Sequence, residues 1–258
     1  MKITFLGTSH GITEKDRFTS STLISVAGKN YLVDAGAPIM KLLQEQDVGF
    51  DTLGGIFITH SHPDHYMGLI EFTHQIEAFA RFKGIKVKIT APELFPFEEM
   101  QRFLFGEEGF NIKKLGGSRD LSEGTEPRVS CEKYTAGKIF DDGTLKITAF
   151  KTKHFNDSHS LLVEAEGKRI LFSGDLRHDL IDFPFEATDP GVDLVIMEAA
   201  HSLFDSETAI NVFKRINTKR MLVNHIYVVR NTPEMVATAA AAVDYPITIA
   251  NDNDVYEL

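Results

Sequence analysis

The chain has 258 residues, 43% hydrophobic and 25% charged, enough to bury a substantial core without covalent staples. Its single cysteine, Cys131, excludes an intrachain disulfide framework and any cysteine-based zinc site, and fits a reducing, cytoplasmic setting. The formal charge of −10, from 27 basic and 37 acidic residues, argues against a long polyanion as partner, although bound metal ions can reverse the field at a site. No apolar run approaches the ~20 residues of a membrane span, and the N-terminus lacks the apolar stretch of a secretory leader.

Residues 1–9 and 21–38 read as strands, with a hairpin turn at Gly28-Lys29-Asn30. A short helix follows over 38–46, with Pro38 suited to its first turn. The β-branched and aromatic run 54–60 predicts a buried strand, and Leu69, Phe72, Ile76 and Phe79 recur at helical spacing within 65–82. Residues 85–92 form a further strand. From Glu93 to Gly124, Phe-rich helical pieces alternate with Gly-rich turns; this segment reads as a helical cover, or as a lid or a homodimer surface. Strand character returns over 144–154, 158–175 (turning at Glu166-Gly167-Lys168), 193–200, 220–225 and 246–252. Helices are expected over 207–216 and 232–243, the second opened by Thr232-Pro233-Glu234. In each half strands precede helices, and no repeat or linker divides the chain. A single domain, 1–258, of packed sheets with outer helices is expected.

The strand 54–60 ends on His60-Ser61-His62-Pro63-Asp64-His65, three histidines and an aspartate in six residues. Imidazole and carboxylate suit zinc and related divalent ions. Two apart in an extended segment, His60 and His62 project to one side. Pro63 stiffens the turn, after which Asp64 and His65 can face a second ion.

This packet resembles the His-x-His-x-Asp-His signature of the metallo-β-lactamase superfamily. "FLGTSHG" is similar to that family's opening strand and Gly turn, and "YLVDAGAP" to the strand end that would make Asp34 a support for the metal loop. "FKTKHFNDSHSLLVE", "ILFSGDL" and "RMLVNHI" resemble its later motifs. The resemblance implies an α/β fold, a four-layer αββα sandwich with two metals at the sheet edge. His60, His62, His154 and Asp175 would hold one ion; Asp64, His65, Asp175 and His225 the other. His154, Asp175 and His225 each close an apolar strand, as His60 does, so they are expected on one edge. Zinc is the first expectation, with manganese or iron as alternatives.

Within the family the pattern is most similar to the phosphodiesterase side, ribonuclease Z and its relatives, which hydrolyse with a hydroxide held between the metals. Two departures matter. Asp175 follows His154 by only 21 positions, room for a hairpin but not for an RNA-grasping arm. That spacing resembles compact cyclic-phosphodiesterase relatives, and a small phosphodiester is expected over RNA. Met197 stands where ribonuclease Z has the histidine of His-Glu-Ala-Thr, the next residues being Glu198 and Ala199. Asp64 is expected to orient the attacking hydroxide. His201 or His178 could supply a proton to the leaving oxygen. His10 could line the cleft, His159 and Ser160 could contact substrate, and His74 is expected to be solvated. Two other readings stand beside this one. The same scaffold hydrolyses thioesters, lactones or β-lactams, and a metal-binding regulator without turnover would also lack the Met197-position histidine.

Overall fold

A computed structural model describes residues 1–111, 117–119, 122, 124 and 126–258. The strands of the first half are β1 (Lys2–Gly7), β2 (Ser21–Val26), β3 (Lys29–Val33), β4 (Leu53–Phe57), β5 (Val87–Ala91) and β6 (Val129–Lys133). Those of the second are β7 (Gly137–Asp141), β8 (Lys146–Lys151), β9 (His159–Ala165), β10 (Lys168–Phe172), β11 (Leu194–Ala199), β12 (Met221–Ile226) and β13 (Ile247–Ile249). The last strand, β14 (Val255–Glu257), returns to the first sheet beside β1. The sheet orders are β14-β1-β2-β3-β4-β5-β6 and β13-β12-β11-β10-β9-β8-β7. Each sheet begins antiparallel and turns parallel, from β3 onward in the first and from β10 onward in the second. The ends of β3, β4, β10, β11 and β12 therefore gather at one edge of the molecule, where parallel sheets build their sites.

Three apolar layers separate four structural ones. Ile3, Phe5, Ile24 and Phe57 of the first sheet meet Leu161, Val163, Phe172 and Ile196 of the second between the sheets. On the first sheet's outer face, Leu32, Ile56 and Ile89 pack with residues of α1 (Ile39–Glu45), α3 (Gly68–Ala78) and α4 (Phe95–Phe105). On the second's, Leu171, Val195 and Val223 pack with α5 (Phe185–Thr188), α6 (Glu207–Phe213) and α7 (Pro233–Ala241). This is the four-layer αββα sandwich. Phe57 is wholly buried between the sheets, and Phe57→Ala would cost about 3–5 kcal/mol.

The first hairpin turn comes earlier than expected, at Ala27-Gly28, and the second falls within the expected turn, at Glu166-Gly167. Ala27 and Gly28 have φ 49° and 77°, Glu166 and Gly167 φ 52° and 72°. Both are two-residue loops, whose left-handed pair matches the twist of the flanking strands. β3 thus starts at Lys29, a residue expected in the turn. Thr232 caps α7 as expected, accepting from the Met235 amide, with Pro233 next.

The helix expected over 65–82 is broken. A short turn, α2 (Pro63–Tyr66), stops before α3 begins at Gly68. Ala35, just past β3, intrudes on the ladder: its N–H donates to His65 O (2.8 Å) and its carbonyl accepts from Gly68 N (2.9 Å). Of the segment 93–124, α4 buries Met100 and Phe105 and exposes Phe95 and Phe103. Residues 112–116, 120, 121 and 123 lie outside the described residues; among those described, α4 meets the expectation of a helical piece. Among the described residues no helix is long and apolar enough to cross a membrane.

Candidate metal centre

Asp34 follows β3 in a left-handed backbone conformation (φ 59°) and turns its carboxylate under the next strand end. Oδ1 accepts from Thr59 N at 2.8 Å, and both carboxylate oxygens accept from Thr59 Oγ1. Thr59 Oγ1 lies 3.1 Å from His60 Nδ1, so His60 presents Nε2 to the edge. Asp157 accepts from the Ser61 N–H at 3.1 Å and pins the same loop from the other sheet. Pro63 opens α2, so Asp64 and His65 follow in its first turn. From the second sheet come His154 after β8, Asp175 after β10 and His225 within β12. Gly174 is required before Asp175: its φ is 55°, and a Cβ there would lie 2.4 Å from His159 O. His225 is itself left-handed at φ 48°, strain of the kind that collects at functional sites.

The seven side chains fall into two facing groups, His60, His62, His154 and Asp175, and Asp64, His65 and His225. In the first, His62 Nδ1 is 3.0 Å from His60 Nε2 and 3.2 Å from His154 Nε2. Asp175 Oδ2 is 3.6 Å from each of the two Nε2 atoms. In the second, His65 Nε2 is 3.3 Å from Asp64 Oδ2, and His225 Nε2 is 3.7 Å from it. Asp175 stands between the groups, Oδ1 3.5 Å from His65 Nε2 and Oδ2 3.3 Å from His225 Nε2. Four donors around a tetrahedral ion with bonds of ~2.0–2.1 Å lie roughly 3.3 Å apart, and these separations bracket that value. His65 Nε2 and Asp175 Oδ1 are buried with no hydrogen-bond partner among the described residues, a costly state unless a ligand uses them. The donor set therefore fits two divalent cations. His65 Nδ1 is held by Asp34 Oδ2 at 2.8 Å, the outer bond that metal-binding imidazoles need.

Burial and neighbouring charges act differently on the individual donors. Burial holds His60 well below its ordinary pKa, with His65 adding to the effect, so it is neutral and free to ligate. Burial opposes the charge on His65, but Asp34 and Asp175 outweigh it and raise it well above the ordinary value. Burial would lift the Asp175 carboxyl, yet His225, His65 and His60 keep it well below the usual carboxylate range. Asp64 is likewise held down against burial by His65 and His225.

His201 joins the site and His178 does not. The His201 ring lies 4.3 Å from that of His154, and its Nδ1 is 3.3 Å from Glu198 Oε1 and 3.8 Å from Asp175 Oδ2. Burial lowers its pKa, but Glu198 and Asp175 prevail and raise it to about 9. His178 is exposed. His159 and Ser160, read as possible substrate contacts, are instead buried supports: the His159 N–H donates to Thr59 O and Ser160 Oγ to Ser173 O. His10 is buried and stacked on Tyr227 (4.1 Å, 19°); His74 is half-buried at the edge of Phe79. Met197 points into the outer apolar layer beneath α6 and α7, the opposite side of β11 from Glu198, whose carboxylate accepts from the Ala200 and His201 amides. Sequence reading passed over Asp157 and Asn231 altogether; "FNDSHS" held an aspartate beside the third motif, but nothing local marked Asn231.

Known proteins share sequence and fold with this chain. The family model described as Anti-Pycsar protein Apyc1 matches residues 1–202. A ribonuclease Z from Mycobacterium bovis (strain BCG / Pasteur 1173P2) is 28% identical over 180 residues, 68% of this chain and 62% of that protein. The chain therefore spans under two thirds of the length of that relative. Among solved structures, the metallo-β-lactamase fold protein YhfI from Bacillus subtilis superposes with a TM-score of 0.76 at 18% identity, covering 99% of both chains. The human short-form tRNase Z gives 0.63 at 20% identity, covering 100% of this chain and 99% of that one. At such identities these two establish a shared metallo-β-lactamase fold.

Proposed function

This chain belongs to the family described as Anti-Pycsar protein Apyc1, and from that premise we propose that it hydrolyses small phosphodiesters with two divalent cations, in a role that opposes Pycsar. The observation that carries the reading is the pair of ligand groups facing each other across Asp175. His60, His62, His154 and Asp175 would hold one cation; Asp64, His65, His225 and Asp175 the other. Zinc is the preferred ion because five of the seven donors are imidazoles. Bound there, such ions lower the pKa of a water and neutralise charge on a phosphodiester.

The chain's own residues supply the rest. Asp64, partly exposed at the cleft, accepts a hydrogen bond from the attacking water and orients it. His201 gives the proton to the leaving oxygen. Its Nδ1 is committed to Glu198, so the transferable proton is on Nε2. Cations nearby would draw its raised pKa back toward neutrality, where a general acid works best. Between His154 and Asp175 the chain forms only a turn and the β9–β10 hairpin, which favours a small substrate over RNA, as does the net charge of −10.

The test is kcat/KM for one metal-loaded preparation on cyclic ribonucleotides, bis(p-nitrophenyl) phosphate, a precursor tRNA, a thioester and nitrocefin. The cyclic and aryl phosphodiesters are expected to lead. Site-specific trimming of the tRNA with higher efficiency would refute the small-substrate reading, and preference for the thioester or nitrocefin would refute phosphodiester hydrolysis.

A further inference from the structure

Asn231 is wholly buried just before the cap of α7, and its side chain spans to the other loop of the site edge. Nδ2 donates to Ala199 O and to Ser202 O, both at 2.7 Å; Oδ1 accepts from Phe204 N at 2.8 Å. These three partners bracket His201 on both sides. Beneath the same loop, Glu198 accepts from the Ala200 N–H at 2.7 Å and the His201 N–H at 3.1 Å. The loop carrying His201 is thus held from below by a carboxylate and from across by an amide. The amide ties it to the segment following His225, in which the Asn231 N–H itself donates to Tyr227 O.

We propose that Asn231 is the positioning residue for His201, fixing where its proton is delivered relative to the strand that carries His225. The inference rests on His201 being the general acid. No other side chain of this size satisfies the three partners: leucine satisfies none, and aspartate would set a carboxylate against two carbonyl oxygens. A proton donor must sit within hydrogen-bond reach of the leaving oxygen, so relaxing this loop by a fraction of an ångström removes acid catalysis while leaving all seven metal ligands in place. The effect should follow the basicity of the leaving group, because an aryl oxide departs without protonation and an alkoxide does not.

The experiment compares Asn231→Ala, Asn231→Ser, His201→Gln and Thr232→Ala on an alkyl and an aryl phosphodiester, with metal content measured on each preparation. Thr232→Ala removes the α7 cap without touching the His201 loop. In both Asn231 variants the alkyl ester is expected to lose roughly 10- to 100-fold in kcat/KM, part of the ~10²–10⁴ that acid catalysis supplies. The aryl ester should lose less than about threefold, and metal content should match the parent. Combining Asn231→Ser with His201→Gln should add almost nothing to His201→Gln alone. Equal losses on both esters, lost metal, or full additivity with His201→Gln would overturn the positioning role. If His201→Gln itself shows no dependence on the leaving group, the acid assignment falls and this inference with it. A leaving-group effect in His201→Gln that is absent from both Asn231 variants removes this inference alone. Asn231→Ser retains one donor and acceptor, so it covers the case in which Asn231→Ala does not fold.

Discussion

Asp34 Oδ2 lies 2.8 Å from His65 Nδ1, while Oδ1 of the same carboxylate receives the Thr59 amide beside His60. One buried aspartate thereby orients a donor of each metal group without facing either centre. Asp34→Ala should lower metal affinity about 10- to 100-fold, the usual cost of losing such an outer partner. Asp34→Asn keeps the left-handed backbone and the bond from Thr59 but sets an amide donor against His65 Nδ1, so it should lower affinity as well. Titration of the apo protein with zinc, followed by calorimetry, checks both.

Asp175 and His225 should differ in kind. Asp175 reaches both groups, so Asp175→Ala should empty both and abolish turnover. His225 serves one, so His225→Ala should leave about one ion per chain where the parent holds about two. Elemental analysis after reconstitution decides; unchanged metal content in Asp175→Ala would contradict the shared-carboxylate arrangement.

Arg230 is exposed on the loop after β12, and its charge opposes in small part the rise that Glu198 and Asp175 give the His201 pKa. On a chain of net charge −10 it is a natural contact for an anionic substrate. Arg230→Ala should raise KM roughly fivefold, the ~1 kcal/mol of an exposed ionic contact, with kcat little changed and the salt dependence of kcat/KM reduced. A drop confined to kcat would argue for a different role.

Burial lowers the pKa of His159 beneath its ordinary value of 6.5. Its Nδ1–H donates to Asp157 O at 2.8 Å, and its ring faces Tyr134. The unfolded chain takes up this proton first as pH falls. The stability due to neutral His159 is therefore complete above about pH 6.5 and is lost as pH drops through that value toward the folded pKa. Denaturant melts of the metal-loaded protein between pH 7.5 and 5 should lose stability with acid, and His159→Asn should flatten that slope.

Much of the site was legible because its donors are either contiguous or mark the ends of apolar strands. His60 to His65 need only a strand and a turn to divide into two sets, and the runs before Asp175 and His225 announced strands that stop there. What stayed hidden depends on partners distant in the chain. The edge strands β6 and β7, with sequences VSCEK and GKIFD, bury too little for an alternating pattern to show. The break between α2 and α3 is made by Ala35, about thirty positions earlier, and no local propensity foretells it. Met197 was visible as a missing histidine, but only the pleat of β11 shows that this position faces the helices. Asn231 would pass in sequence for an ordinary residue ahead of a helix cap.

Each ligand group draws on both halves of the chain. His60 and His62 follow β4 while His154 and Asp175 belong to the second sheet; Asp64 and His65 stand opposite His225. A nascent chain emerging from the ribosome therefore completes the first group only when residue 175 is free and the second only when residue 225 is. On the dinuclear reading, metal uptake is a late step of biogenesis, and a loaded centre certifies that both halves have been made and have met. A truncated product ending anywhere before β12 would lack the second centre, and one ending before β10 would lack the carboxylate common to both.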